Sequence, residues 1–374
     1  MGQIQTPFFL LEEHSLEKNL QLIKEISQSA DVEIILAFKG FAMWSTFPMV
    51  RNYIKGATAS SLNEVLLCKE HMHTKAHSYF VAYKPEEIEE ILDNSSHITF
   101  NSLSQLERFG PLAQTKNVST GLRINPEYSD VNVDLYNPSS PHSRLGVTSH
   151  ELENGLPPEV DGLHFHVLCE SDSYALEKTL QYVEKNFSEC LEQIKWINLG
   201  GGHLMTRKDY DTDHLISLLK KLKRKYNLNI ILEPGSAIAW QVGNLHTTVL
   251  DIVERNGIKT AIIDASFTCH MPDCLEMPYR PNIVEGDADE SKWNNKYRIG
   301  GVSCLAGDYL DVYSFENKIS IGDSITFKDM IHYTMVKSNT FNGVQHPAIG
   351  IKRKNNQIEV VREFNYNDYK NRLS

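Results

Sequence analysis

Eight short apolar runs recur between Glu33 and Glu233, and their alternation with amphipathic helical stripes narrows the fold more than any other feature. The runs are Glu33–Phe38, Gly56–Ala59, Ser78–Ala82, His97–Phe100, Gly121–Ile124, Gly162–Val167, Trp196–Leu199 and Asn229–Glu233. Runs this short, spaced by helical patterns, read as buried strands. Between them, Leu176, Leu180, Val183, Phe187 and Leu191 keep one helical face within Ser171–Leu191, and Arg207–Tyr226 is similarly amphipathic with lysines on its exposed positions. Eight strand–helix units over roughly 230 residues predict an α/β fold, a (β/α)8 barrel, which typically takes about 250. A doubly wound open sheet is the competing arrangement.

A strand at Phe8–Leu11 and a helix striped by Leu16, Leu20, Ile23 and Ile26 precede this rhythm. Beyond Gly235 the rhythm changes: Thr247–Val253, Thr260–Asp264 and Ser324–Phe327 are strand-like, with few helical stripes between them. The pattern predicts a barrel over residues 10–243 followed by a C-terminal β-rich domain over 244–374, joined by an N-terminal strand within 1–9. The segment Asn125–Ser149, rich in Pro, Asn and Ser, is too long for an ordinary connection and reads as a functional or interface loop.

At 374 residues, 41% hydrophobic and 23% charged, the chain has the length and composition for one large and one smaller folded domain. Its net charge of −11 argues against sequence-independent nucleic-acid binding and suits a cationic ligand. No run approaches the roughly 20 apolar residues of a spanning helix, and Met1–Pro7 lacks a basic segment followed by an apolar stretch. The expectation is a cytoplasmic protein with no membrane partner. Six cysteines without a Cys-x-x-Cys pair read as free thiols.

In a barrel, chemistry comes from the C-terminal ends of the strands. Those ends carry Lys39, the pair His164 and His166, the triplet Gly200-Gly201-Gly202, and Glu233 followed by Pro234-Gly235. Lys39 closes the apolar run Ile34–Phe38; alone it reads as a snorkelling lysine, and with its charged form disfavoured it becomes a nucleophile toward carbonyls. The three glycines suit either a tight turn or a backbone approach to phosphate. Two histidines at i and i+2 share a face and fit metal ligation, stacking on a flat cofactor or plain burial. No further His or Cys falls at a metal-ligand spacing, so no metal is expected. Glu233 needs a partner wherever its strand is buried, either a structural cation or a ligand. A lysine for a Schiff base, a phosphate cradle, a stacking histidine and a carboxylate for a pyridinium nitrogen together match the needs of pyridoxal 5'-phosphate.

The order Ala37-Phe38-Lys39, His164-Phe165-His166, Gly200-Gly201-Gly202 and Glu233-Pro234-Gly235, followed by Thr268–Asp273, Glu276–Arg280, Cys304-Leu-Ala-Gly-Asp308 and Tyr333, resembles the alanine racemase-like (fold III) pyridoxal phosphate decarboxylases. That group includes ornithine/arginine, diaminopimelate and carboxynorspermidine decarboxylases, and the resemblance spans essentially the whole chain. It implies that Lys39 holds the cofactor covalently and His166 stacks on its ring. It further implies that Glu233 pairs with the pyridine nitrogen, while Gly200, Gly201 and Gly202 with Tyr333 hold the phosphate and Gly235 also binds the cofactor. It also implies a head-to-tail homodimer in which Cys304 and Asp308 of one subunit complete the site of the other; Cys304, or a water or Lys39 near it, then returns a proton to Cα after carbon dioxide leaves. Two departures stand out: many relatives have Gly-Ser shortly after the stacking histidine where this chain reads Val167–Ser171, and many have Arg after Glu-Pro-Gly where it has Ser236.

The details in Thr268–Arg280 and around Cys304 point within that group to decarboxylation of carboxynorspermidine or carboxyspermidine in polyamine biosynthesis. The amines of such a carboxylated polyamine call for acidic partners, for which Asp273, Glu276 and Asp308 are the candidates. A diaminopimelate enzyme instead needs a cation for the distal carboxylate, and Arg280, Arg123 and Arg144 are available. A racemase, a non-catalytic cofactor-carrying regulator and a metal-dependent barrel hydrolase are the remaining alternatives; Glu233, which favours a strong electron sink, argues against the first.

Overall fold

The computed structural model describes residues 4–131 and 137–374. The chain divides into two compact units, one of Glu17–Ile238 and one of the residues up to Leu16 together with Ala239–Ser374. In the first, the strands are β2 (Glu33–Ile34), β3 (Leu36–Ala37), β4 (Ala57–Ala59), β5 (Ala76–Tyr79), β6 (Ser95–Phe100), β7 (Ser119–Arg123), β8 (Gly162–His164), β9 (Trp196–Asn198) and β10 (Asn229–Leu232), counting Phe8–Glu12 in the other unit as β1. All pair in parallel, in the order β2-β10-β9-β8-β7-β6-β5-β4-β3.

The expected strand Glu33–Phe38 appears as two pieces, and the reason is closure. Ile35 N donates to Leu232 C=O (2.9 Å) and Ala37 N to Pro234 C=O (3.1 Å), whereas Leu36 N turns the other way to Gly56 C=O (3.0 Å). One segment is thus bonded to β10 on one side and to β4 on the other, which makes eight staves of a closed barrel and excludes the open sheet.

Local chemistry fixes where the helices begin. Ser61, Ser102, Asp172 and Asp211 each accept a backbone N–H three residues on, so each caps a helix soon after its strand. The Asp211 cap explains why the amphipathic segment starts its helix at Thr212 rather than at Arg207. Asn227, left-handed at φ 53°, ends that helix and returns the chain to β10. Leu176, Leu180, Val183, Phe187 and Leu191 are all buried, as the stripe predicted.

The base of the barrel is filled by Trp196. Its indole donates from Nε1 to Ser119 Oγ (2.9 Å) and lies against β7 and β8 where both carry glycine. A Cβ on Gly162 would fall 2.0 Å from Trp196 Cδ2, and one on Gly121 2.4 Å from Cη2.

In the second unit a mixed sheet runs β13 (Gly286–Asp287), β15 (Tyr309–Phe315), β14 (Asn295–Gly300), β12 (Ile258–Ile263), β11 (Gly243–Arg255), β1, β17 (Ala348–Lys352), β18 (Ile358–Arg362), with β16 (Ser324–Lys328) also on β11. β1 is held between β11, antiparallel, and β17, parallel. Among the described residues no helix is long and apolar enough to cross a membrane. Of the long irregular segment 125–149, residues 132–136 lie outside the described part. Its base is pinned by Asn125 N to Val147 C=O (2.7 Å) and Gly146 N to Asn101 Oδ1 (2.9 Å).

Gly162→Ala should lower stability by about 1–3 kcal/mol, the usual cost of forcing extra volume into a packed core. The midpoint of urea unfolding is the measurement, and an unchanged midpoint would show that the indole has room to move.

Candidate active site

The seam of the barrel delivers Lys39 and Glu233 to the same rim. Lys39 lies two residues past β3 and Glu233 directly follows β10, the two strands that flank the seam. Beyond them the loops pass back to back at glycine: a Cβ on Gly40 would sit 2.7 Å from Gly235 Cα, and one on Gly235 3.0 Å from Gly40 Cα. Any side chain at either place would push the lysine and the carboxylate apart.

Lys39 Nζ lies 3.1 Å from His166 Nε2. The ring's other nitrogen, Nδ1, accepts the Gly201 N–H at 2.8 Å. With Nδ1 acting as acceptor, a neutral imidazole carries its proton on Nε2 and donates it toward Nζ, which requires an unprotonated amine. The electrostatics agree. Although Lys39 is solvent-exposed, crowding by protein lowers its pKa and outweighs the opposing attraction of Glu233. Burial, then the charges of Lys39 and Arg123, hold His166 well below the ordinary histidine value. Arg123 itself is buried, donates to His166 C=O (3.1 Å) and lies 4.7 Å over the Tyr79 ring.

Glu233 is 8% exposed, and burial raises its pKa. Asn198 Nδ2 donates to its Oε1 (2.7 Å), Thr58 also bonds it, and His164 Nε2 stands 3.8 Å from Oε2. Asn198 was not singled out in the sequence, yet an amide inside the apolar run Trp196–Leu199 is the signal that would have found it. It does a second task, accepting the Gly200 N–H (2.9 Å) on Oδ1.

The glycine triplet is explained first by the chain's own crossings. A Cβ on Gly200, Gly201 or Gly202 would come within 2.2–2.4 Å of the carbonyl oxygens of Phe165, Glu233 and Leu168, and Gly200 and Gly202 have φ of +66° and +89°. Gly200 and Gly201 N–H are already bonded within the protein, so a phosphate cradle here would draw on Gly202 and other donors. His164 and His166, on which the metal reading rested, face Glu233 and Lys39 respectively.

The remaining expected residues belong to the sheet unit. Cys304 is exposed, with its N–H bonded to Asn342 Oδ1 (2.8 Å). Asp308, in the same loop, is buried and bonded to main-chain N–H groups. Asp273 Oδ2 accepts from Tyr279 OH (3.0 Å) and Thr334 Oγ1 (2.9 Å), while its Oδ1 is buried with no hydrogen-bond partner. Glu276 pairs with Lys337. Tyr333, at φ 31°, precedes Thr334.

Residues 53–331 match the family described as "Pyridoxal-dependent decarboxylase, C-terminal sheet domain". The chain belongs to the pyridoxal-dependent decarboxylases. It is 49% identical to the carboxyaminopropylagmatine decarboxylase of Synechocystis sp., over 100% of this chain and 96% of that protein. It is 41% identical to the carboxynorspermidine/carboxyspermidine decarboxylase of Campylobacter jejuni, covering 98% of each. The crystal structure of carboxynorspermidine decarboxylase from Campylobacter jejuni, complexed with norspermidine, superimposes with a TM-score of 0.92 at 40% identity, over 99% of this chain and 100% of that one. Membership sets aside the racemase, hydrolase and non-catalytic alternatives.

The decarboxylase therefore uses pyridoxal 5'-phosphate, and the barrel rim fits it. An amine of lowered pKa, a buried carboxylate with a histidine 3.8 Å away, and a buried His164 with both ring nitrogens lacking hydrogen-bond partners are groups that a polar ring would satisfy.

Without cofactor, the raised pKa of Glu233 makes its carboxylate a cost to the fold. The sign follows from linkage: a raised pKa gives stability below about pH 4.5, the ordinary value, that is lost as pH rises through the folded-state pKa. Glu233→Gln should therefore raise the urea midpoint of the cofactor-free protein at pH 7, by an amount that shrinks toward pH 4.5. A gain equal at both pH values would show that charge burial is not its source.

Proposed function

We propose that this decarboxylase removes the carboxylate of a carboxylated polyamine, carboxynorspermidine or carboxyspermidine, to give norspermidine or spermidine in polyamine biosynthesis. The full-length similarity to the Campylobacter jejuni enzyme carries the reading. The name of the Synechocystis relative favours a second one, a substrate of the same kind ending in a guanidinium. A diaminopimelate substrate is less well served. Arg280 donates to Val312 C=O and Arg123 to His166 C=O, so two of the three arginines that could supply its one cation are engaged within the fold.

Pyridoxal phosphate, when bound, draws off the electrons of the breaking bond between Cα and the carboxylate. Lys39 Nζ, its pKa lowered by the surrounding protein and 3.1 Å from His166 Nε2, is the attachment point. Glu233, held by Asn198 and Thr58, would pair with the pyridine nitrogen and favour its protonated form. His166, fixed in orientation by Gly201 N–H, would stack on the cofactor ring. Gly202, Gly235 and Tyr333 are the proposed phosphate donors, and Ser236 stands where relatives carry arginine. Cys304 Sγ is the proposed source of the proton that Cα takes up.

Asp273 is the strongest candidate for the substrate's amine tail, because its Oδ1 is a buried acceptor without a donor. Glu276 is available only in competition with Lys337. The proposed assembly is a homodimer whose subunits exchange Cys304. Its support is that Cys304 is exposed beside the exposed apolar residues Val302, Leu305 and Phe341. A cytoplasmic location goes with this reading.

Lys39→Ala should abolish both the visible absorbance of the lysine-bound cofactor and carbon dioxide release; a colourless wild-type protein would reject the reading. Release from carboxyspermidine, carboxynorspermidine, carboxyaminopropylagmatine and meso-diaminopimelate, compared side by side, chooses the substrate, with diaminopimelate expected to be slowest. Asp273→Asn should raise KM for the preferred polyamine roughly tenfold to a hundredfold, as expected when a charged hydrogen bond is lost. An unchanged KM would remove Asp273 from the tail site.

A further inference from the structure

Two loops of the sheet unit meet at one carboxylate, and a third closes on the segments it joins. Asp308, 4% exposed, accepts four hydrogen bonds. Its Oδ1 takes the N–H groups of Phe267 (2.7 Å) and Thr268 (3.1 Å), and its Oδ2 takes Ser303 N–H (3.0 Å) and Ser303 Oγ–H (2.6 Å). An ionised carboxylate offers about four acceptor positions, so no place remains for a substrate amine. The loop that bears Cys304 is also tied at its base, by Gly301 N–H to Asp308 C=O (2.7 Å) and Asp308 N–H to Leu305 C=O (3.0 Å). Gly301 is obligatory there, since a Cβ would lie 2.4 Å from Asp308 Oδ2.

The third loop approaches from the other side. Asn342, left-handed at φ 58°, accepts Cys304 N–H on Oδ1, and Cys269 Sγ–H, from the segment that Asp308 holds, donates to Phe341 C=O (3.4 Å). Asn339 Nδ2 adds a bond to Thr268 C=O (2.8 Å). The backbone of Cys304 is therefore fixed from two directions while the residue itself stays exposed.

We propose that Asp308 is a positioning residue: it fastens the Gly301–Asp308 loop to Phe267–Thr268 and so sets the Cys304 thiol for proton delivery, and it does not touch the substrate. The proposal rests on the reading of Cys304 as the donor to Cα. It replaces the expectation that Asp308 binds the amine tail. Pairing with an amine would require the carboxylate to release main-chain donors it already holds, and such a loss costs more than an exposed ion pair returns.

The test is a double-mutant cycle on the cofactor-loaded enzyme with Asp308→Asn, Cys304→Ala and the pair, measuring kcat, KM and the inhibition constant of norspermidine. An amide at 308 turns one oxygen into a donor that faces donors. Asp308→Asn should lower kcat on the order of 10²-fold, the lower end of what a placed proton donor contributes, and leave KM and the inhibition constant within about twofold. The double variant should be no slower than Cys304→Ala alone, because both changes remove the same contribution. A merely structural role would lower thermal stability and give independent, multiplying losses in the pair, which would overturn the proposal while leaving the donor reading intact. A raised KM and inhibition constant with kcat preserved would overturn it in favour of tail binding. Wild-type turnover by Cys304→Ala would overturn the donor reading, and the proposal with it. Where Asp308→Asn fails to fold, Ser303→Ala serves instead, removing one donor from Oδ2; it should slow kcat in the native background and have no effect in the Cys304→Ala background.

Discussion

Closure of the barrel between β10 and β4 through the single segment Glu33–Ala37 is the constraint from which the site follows. The segment alternates its hydrogen bonds, to Leu232 and Pro234 on one side and to Gly56 on the other. Residues just beyond it are thereby set against residues just beyond β10, and the mutual approach of Gly40 and Gly235 fixes the spacing. Lys39 and Glu233, nearly two hundred positions apart in sequence, become neighbours through backbone geometry before any attraction between them acts.

That proximity has an energetic consequence. Burial raises the Glu233 pKa, and crowding lowers that of Lys39, so each group is pushed toward its neutral form although the two carry opposite charges. Desolvation outweighs their mutual attraction. The fold holds the carboxylate with an amide, Asn198, and the amine with an imidazole, His166, in place of a tight ion pair. An ion pair would lock the lysine in its protonated, unreactive state. Holding it beside a histidine is the arrangement that the proposed attachment of the cofactor at Lys39 needs, and perturbed groups of this kind cluster at functional sites.

Much of this was legible in the sequence. The staves showed as apolar runs, because strands buried on both faces have no polar side to interrupt them, and Lys39, His166 and Glu233 stood out as polar residues at their ends. Asn198 and Thr58 escaped notice because a polar residue inside a run reads as an irregularity until its partner is known. The break at Ile35 was invisible, since pairing to two different neighbours leaves no mark on side-chain pattern. The glycine triplet was ambiguous in a different way. Its composition suggested an anion cradle, whereas the requirement seen in space is for three carbonyls of the same chain to pass within reach, and two of the three amides are already bonded. In the sheet unit β11, β12 and β16 were visible, but β13, β14, β15, β17 and β18 were not, because strands open on one face mix polar and apolar residues and resemble loops.

Asp308 shows why a motif names a residue more reliably than it names a role. Acidic residues near a cationic substrate invite the same assignment, yet Asp273 and Asp308 differ in what already surrounds them. One has a buried oxygen without a donor, and the other has four donors for about four acceptor positions. A ligand amine would lower the free energy of the first by satisfying an unmet acceptor, and would raise that of the second by displacing bonds already made. Saturation, more than charge, separates a carboxylate that recognises substrate from one that holds the protein in shape.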